Sequence, residues 1–267
     1  MKKIKTVQDF LKSYYDKNVE KLQKDYPGLP FNRLLDEYCE FDNSKSQDVF
    51  FMENPAFFEK LKLGIPLEYI NYKSYFYSNE FYVNQDVLIP RSETEILVED
   101  AINFINKNYH EGFKVWDIGT GSGCIPLTIA CEIKKPLVIY ASDLSNEALE
   151  VSRINFDNLQ DKIDEKSKIK FIKKDRLEGV DFKVDLILSN PPYIKFGSNK
   201  DQVHQNVDSY EPHMALYLRD DDYDEWFDKL FSQVSQTLSE TGIFIMEGHE
   251  SNLKDLEEIS RKYFKNI

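Results

Sequence analysis

Apolar positions recur at helical spacing through residues 1–75. Val7, Phe10, Leu11 and Tyr14 fall at i, i+3, i+4 and i+7, and Phe31, Leu34, Leu35 and Tyr38 repeat the pattern. Such a one-sided stripe belongs to an amphipathic helix. A third helix is predicted from about Pro55 to Leu63, stopped by Gly64 with Pro66 beyond it. The stripes together predict a small helical bundle. Residues 69–90 change character, being rich in aromatic and β-branched side chains with Ser78 and Asn79 as turn residues, and predict one or two hairpin strands. After Pro90, Ser92 and Glu95 have capping-box spacing and predict a helix from near Glu93 to about Lys107.

From residue 113 short apolar runs alternate with helical stripes. FKVWDI predicts a strand, followed by a glycine-rich turn and an apolar helix to about Cys131. PLVIYASD, KIKFIKK and KVDLILS predict the next three strands, with a helix from Ser145 to Asn158 after the first of them. A helix over Tyr223–Ser239, a fifth strand GIFIMEG and a last helix from Asn252 to Phe264 complete the pattern. Strands alternating with helices predict right-handed crossovers and a mostly parallel, doubly wound α/β sheet. No internal repeat or low-complexity tract interrupts it.

Composition narrows the picture. At roughly 150 residues per domain, a chain of 267 residues holds about two domains. A hydrophobic fraction of 41% excludes a wholly disordered chain. No apolar run approaches the ~20 residues that cross a bilayer, and the basic opening MKKIKTVQDF lacks the apolar stretch of a secretory signal. The balance of 34 basic against 47 acidic residues, net −13, lacks the basic footprint of a protein that grips duplex nucleic acid. Three cysteines, Cys39, Cys124 and Cys131, are too few for a disulfide framework and form no CxxC pair, which fits a reducing cytoplasm. His204, His213 and His249 read as loop or surface residues, since carboxylate and cysteine partners at ligand spacing are missing around them. Cys124 and Cys131 read as packing residues on one helix face, and the run Asp220-Asp221-Asp222 as a solvated helix N-terminus.

Two features carry chemistry. The first strand ends in Trp116-Asp117-Ile118-Gly119-Thr120-Gly121-Ser122-Gly123, immediately before a helix. Glycines at such a junction allow positive φ and let backbone approach a ligand. Asp143, 24 residues beyond Gly119, ends the next strand, where a carboxylate can accept both hydroxyls of a ribose. A tight structural turn would use the same glycines; with Asp143 they point to a nucleoside-bearing cofactor. No lysine of a phosphate-binding P-loop follows. The second feature is Ser189-Asn190-Pro191-Pro192-Tyr193-Ile194, at the carboxyl end of the fourth strand. An ordinary turn could hold this asparagine. Beside the glycine loop, however, the Asn190 carbonyl and the Pro191 carbonyl are two fixed acceptors, one for each hydrogen of a planar NH₂ group, with Tyr193 supplying an aromatic face.

The glycine loop with Asn-Pro-Pro-Tyr resembles amino-methyltransferases that use S-adenosylmethionine. More narrowly, the chain is similar to the HemK/PrmC family of peptide chain release factor N5-glutamine methyltransferases. The similarity rests on Gly64-Ile65-Pro66-Leu67-Glu68-Tyr69-Ile70, Val87-Leu88-Ile89-Pro90-Arg91-Ser92-Glu93-Thr94-Glu95, DIGTGSG at 117–123, NPPYI at 190–194 and Tyr210-Glu211-Pro212-His213-Met214-Ala215-Leu216. NPPY alone is shared with adenine methylases, whereas the segments around Arg91 and Glu211 are more specific. Two departures stand out. Ser92 replaces the family's usual proline, and the family continues beyond Phe264-Lys265-Asn266-Ile267, so the edge of the sheet is expected to be incomplete or differently closed.

The resemblance implies a Rossmann-like class I S-adenosylmethionine-dependent methyltransferase sheet with a small N-terminal helical domain. The expected division is a substrate-recognising helical domain over 1–75, a β-hairpin linker over 76–91 and the methyltransferase domain over 92–267. It implies methyl transfer to the side-chain amide nitrogen of the glutamine in the Gly-Gly-Gln tip of class I peptide chain release factors, leaving S-adenosyl-L-homocysteine. Asn190, Pro191, Pro192 and Tyr193 are then the catalytic set. Gly119, Thr120, Gly121, Ser122 and Gly123 line the methionine and adenosine, and Asp117 orients the loop or the cofactor ammonium. Asp143 holds the ribose, Asp175 and Arg176 flank the adenine, and Asn190 also touches the cofactor. Arg91 and Glu93 border the cleft, or Arg91 is an ordinary surface residue. The expected partner is a release factor, with no direct nucleic acid and no membrane. The same chemistry on a ribosomal-protein glutamine or on adenine N6, or a cofactor-binding scaffold without catalysis, are the alternatives; the intact NPPY disfavours the scaffold.

Overall fold

The computed structural model describes residues 6–42 and 54–265. The chain runs α1 (Val7–Asp25), α2 (Phe31–Phe41), α3 (Pro55–Lys62), α4 (Leu67–Asn71), β1 (Lys73–Phe76) and β2 (Asn79–Tyr82). It continues α5 (Thr94–Asn108), β3 (Lys114–Ile118), α6 (Cys124–Glu132), β4 (Val138–Asp143), α7 (Asn146–Leu159), β5 (Lys168–Lys173) and β6 (Val184–Ser189). The remainder is β7 (Ile194–Lys195), α8 (Gln205–Tyr210), α9 (His213–Leu216), β8 (Tyr217–Leu218), α10 (Tyr223–Thr237), β9 (Leu238–Met246) and α11 (Leu253–Ser260). Two compact units result: residues 1–73 with 204–210, and residues 74–203 with 211–267.

The first unit is helical. The predicted stripes bury as expected, with Leu11, Leu34, Tyr38 and Phe57 fully inside one apolar cluster. Helix α1 opens on a reciprocal cap: the Asp9 N–H donates to Thr6 Oγ1 at 3.1 Å and the Thr6 N–H to Asp9 Oδ2 at 3.4 Å. Helix α8 belongs to this unit, through Asn206 Nδ2 donating to the Asp25 carbonyl and the Tyr210 hydroxyl to the Leu63 carbonyl at 2.6 Å. Nothing local in the sequence announces that long-range attachment.

The second unit is built on a five-stranded sheet, in the order β5-β4-β3-β6-β9, with every neighbouring pair parallel. Alternation along its central strands explains the two cores. Val115, Leu186 and Leu188 point into a cluster with α5 and α6, while Trp116 and Ile187 point into a second cluster with α10 and α11. Both faces are covered, as a parallel sheet requires. Among the described residues β9 forms the outer edge beyond β6. The β1–β2 hairpin sends Phe76 and Phe81 into the first of these clusters.

Four local expectations are corrected. The hairpin turn is Tyr77-Ser78, both with positive φ (49° and 63°), and Asn79 already belongs to β2. Helix α5 starts at Thr94 without a side-chain cap, because the Glu95 carboxylate is occupied by the Tyr77 N–H at 2.8 Å and the Ser92 hydroxyl turns to Glu93. Helix α10 ends at Thr237 and the fifth strand begins at Leu238, since Leu238 pairs with Val184 ahead of a register irregularity. The last helix stops at Ser260, where three-residue bonds from the Lys262 N–H to the Ile259 carbonyl and from the Tyr263 N–H to the Ser260 carbonyl tighten the chain into turns.

Candidate active site

In this strand order the winding reverses between β3 and β6, and a crevice opens beyond their carboxyl ends. A cleft of about 250 Å³ lies there, within the second unit. Gly119, Thr120, Gly121 and Ser122 line it from the end of β3, Asp143 from the end of β4, Asp175 and Arg176 from the end of β5, and Asn190 and Pro192 from the end of β6. The four strand ends that the sequence singled out therefore meet at one cavity. Arg91 lines it too; Asp117, Gly123, Pro191, Tyr193 and the exposed Glu93 are not among its lining residues.

The glycine loop is held open by its surroundings. Gly119, Gly121 and Gly123 have φ of +73°, +53° and +79°. A Cβ on Gly119 or Gly121 would meet nothing within 4 Å, so bare backbone faces open space. On Gly123 it would come within 3.0 Å of Leu127 Cδ1, so this third glycine serves packing. The Gly119 and Thr120 N–H groups both donate to the Ser142 carbonyl at 2.9 Å, and the Ser152 hydroxyl donates to the Gly121 carbonyl at 2.7 Å. Buried Asn155 donates to the Ser122 and Tyr82 carbonyls and accepts the Tyr82 N–H, which ties the loop to the hairpin.

Asp143 accepts the Gly121 N–H on one oxygen and the Ser145 N–H on the other, each at 2.9 Å, so the carboxylate is fixed with acceptor capacity left on both oxygens. Asp117 is fully buried, and among the described residues neither of its oxygens has a hydrogen-bond partner of good geometry, the Thr120 hydroxyl lying near without closing a bond. Burial pushes its carboxyl up to about 7; the Thr120 hydroxyl favours the charge and Asp143 opposes it. Arg176, with φ of +51°, pairs with Asp175 at 2.9 Å and lies over the Trp226 ring at 4.8 Å. Cys124 also lines the cleft, but burial pushes its thiol up to about 12, which keeps it a protonated spectator.

At the end of β6 the Pro191 ring is buried and Asn190 is half-buried. Asn190 Nδ2 donates to Thr94 Oγ1 at 3.1 Å. Neither Asn190 Oδ1 nor the Pro191 carbonyl accepts a hydrogen bond among the described residues, so two acceptors are unspent just past the end of β6, where Asn190 lines the cleft.

Comparison with known proteins gives this geometry a lineage. The Methyltransferase small domain family matches residues 94–209. The release factor glutamine methyltransferase of Flavobacterium psychrophilum is 37% identical over 211 residues, covering 78% of this chain and 71% of that one. The chain belongs to the release factor glutamine methyltransferase family. The relative from Borreliella burgdorferi is 34% identical, covering 82% of this chain and 71% of its own, and that from Dictyoglomus turgidum 44% identical, covering 64% and 58%.

In this family member several residues outside the glycine loop and the NPPY segment build the site. Thr94, 2% exposed at the start of α5, donates to Glu247 Oε2 at 2.6 Å. Glu247 follows β9, and its N–H donates to the Ser189 carbonyl at 3.0 Å. The Tyr193 hydroxyl reaches Glu247 Oε1 at 3.2 Å, and burial, then the Glu247 charge, push the phenol up to about 12. The Glu211 carboxylate, 1% exposed, takes the Ile89 N–H at 3.1 Å and Arg91 Nη2 at 2.6 Å. Arg91 is thus an ion-pair residue on the cleft wall, and the two most family-specific segments meet at that pair. Glu247 was legible only as an acid just past a strand's carboxyl end, the position where α/β sheets bind ligands. Thr94 lies in the family-like segment over 87–95 without a role assigned to it there, and Asn155 carries no local signal.

Proposed function

We propose that this chain transfers the methyl group of S-adenosyl-L-methionine to the side-chain amide nitrogen of the glutamine in the Gly-Gly-Gln motif of class I peptide chain release factors. One observation carries the reading: the unspent Asn190 Oδ1 of a residue that lines the glycine-walled cleft, next in the chain to the equally unspent Pro191 carbonyl. Family membership supplies the substrate class.

The cleft fits the cofactor. Gly119 and Gly121 leave bare backbone where a methionine chain would lie, the fixed Asp143 carboxylate suits ribose hydroxyls, and the Asp117 carboxylate, buried off the lining at the base of the loop, favours a ligand ammonium through its charge. When bound, S-adenosylmethionine supplies an electrophilic methyl on a sulfonium sulfur. An amide nitrogen is a poor nucleophile, its lone pair being delocalised into the carbonyl, so positioning dominates. In favourable geometry that contributes about 7–11 kcal/mol. Asn190 Oδ1 and the Pro191 carbonyl each accept one hydrogen of the glutamine NH₂, which turns the nitrogen lone pair toward the methyl carbon. The same acceptors stabilise the nitrogen as it gains positive charge. Pro191 and Pro192 keep that backbone stiff, and the neutral Tyr193 phenol packs behind it. The free cysteines fit a reducing, cytoplasmic setting.

Incubation with methyl-labelled cofactor and a purified release factor, followed by peptide mapping, tests the reading. Label on the Gly-Gly-Gln glutamine is expected. Label elsewhere, or none with cofactor bound, would overturn it.

A further inference from the structure

We infer that Thr94 and Glu247 are positioning residues that fix which end of the Asn190 carboxamide faces the cleft; the inference rests on the glutamine-methylating reading of the same site. The two ends of a carboxamide have nearly the same shape and opposite hydrogen-bonding character. A half-turn about the last side-chain bond of Asn190 would present NH₂ to the incoming NH₂, and the acceptor would be gone. Something must choose between these states.

The chain of bonds behind Asn190 makes that choice. Asn190 Nδ2 donates to Thr94 Oγ1 at 3.1 Å, and Thr94 Oγ1 donates to Glu247 Oε2 at 2.6 Å. A hydroxyl has one proton to give, and an ionised carboxylate only accepts. The Thr94 proton therefore goes to Glu247, and the lone pairs left on Oγ1 face Asn190, where only the NH₂ end can meet them. Glu247 is itself held twice more, by the Tyr193 hydroxyl on Oε1 at 3.2 Å and by its backbone N–H on the Ser189 carbonyl. Thr94 is buried, so bulk water cannot replace its hydroxyl. The parallel register that sets Met246 beside Ser189 brings the following residues, Glu247 and Asn190, to the same sheet end. A helix N-terminus and two strand ends thus converge on one amide.

Thr94→Val keeps the shape and removes the hydroxyl, Thr94→Ser restores it, and Glu247→Leu removes the acceptor that takes the Thr94 proton. With release factor as substrate, Thr94→Val and Glu247→Leu are expected to lower kcat about 10- to 100-fold, the scale of a misplaced reacting group. KM and the cofactor Kd should stay within about twofold, and Thr94→Ser should recover most of kcat. A loss that falls on KM or cofactor affinity, or an unchanged kcat in Thr94→Val, would overturn the inference. A readout independent of turnover is the side-chain amide NMR pair of Asn190, assigned as the signal missing from Asn190→Ala. It should move in Thr94→Val and stay in Thr94→Ser; an unmoved pair in Thr94→Val contradicts the inference even if the wild-type protein methylates no release factor, an outcome that would sink only the functional reading.

Discussion

Asp117 sits at the end of β3 with both carboxylate oxygens buried and without a hydrogen bond of good geometry, and burial raises its proton affinity until the group titrates near pH 7. The folded protein therefore binds more proton than the unfolded chain between about pH 4 and 7, so this group's contribution to stability falls as pH rises through that window. A ligand ammonium beside the carboxylate reverses the balance and expels the proton. The affinity for S-adenosylmethionine should rise between pH 6 and 7.5. Calorimetry in two buffers of different ionisation enthalpy should show proton release that Asp117→Asn abolishes; equal heats in both buffers would remove Asp117 from the ligand's surroundings. For Asn190→Ala, methyl transfer should be lost with cofactor affinity within about threefold, because the side chain's acceptor serves the substrate. Loss of cofactor binding together with folding would reassign Asn190 to structure. At this scale the sequence exposed the glycine loop, Asp143 and the NPPY segment. It hid the roles of Thr94, which lies in a family-like segment, and of Asn155 and Glu247, because their partners are 96, 73 and 54 positions away along the chain.

The glycine loop separates two uses of the same residue. Gly119→Ala meets open space and bears only the left-handed backbone strain, about 1–2 kcal/mol. Gly123→Ala bears that strain and also crowds Leu127, so about 2–4 kcal/mol is expected. Chemical denaturation should rank Gly123→Ala as the less stable variant, and cofactor titration should rank Gly119→Ala as the weaker binder relative to its stability. The opposite order would mean that the third glycine, not the first, faces the ligand. Elements were legible where periodicity was strong. The apolar runs of β3, β4 and β6 and the stripes of α1 and α2 fall where their patterns place them. Local rules failed where a distant group competed. Glu95, at capping-box spacing, is taken by the hairpin's Tyr77 N–H. Tyr77 and Ser78 adopt positive φ with no glycine or asparagine to announce it.

At the scale of the molecule, two apolar cores serve the sheet and a third serves the helical unit. The helical unit is proposed as the part that recognises the protein substrate. Phe57 is fully buried in its core, against Tyr38 at 5.2 Å between ring centroids. Phe57→Ala should cost about 3–5 kcal/mol of that unit's stability. Assayed near physiological temperature, it should raise KM for release factor several-fold while the cofactor Kd holds. A KM equal to wild type, with the helical unit shown to be melted by hydrogen exchange, would deny that unit a part in recognition. The strand–helix alternation announced a parallel α/β sheet and the early stripes announced a bundle. Helix α8, which joins the bundle from a position more than 130 residues after it, could not be read from sequence, because its attachment rests on side-chain bonds to the backbone carbonyls of Asp25 and Leu63.

The central claim is that two acceptors at the end of β6 hold a substrate NH₂ against the cofactor cleft. A crystal structure of the protein with S-adenosylhomocysteine and a peptide carrying Gly-Gly-Gln tests it most directly. The account predicts the glutamine nitrogen within hydrogen-bond reach, about 2.7–3.2 Å, of both Asn190 Oδ1 and the Pro191 carbonyl, with the sulfur of the bound product facing that nitrogen. A glutamine nitrogen bonded to other groups, or Asn190 presenting Nδ2 to it, would contradict the account.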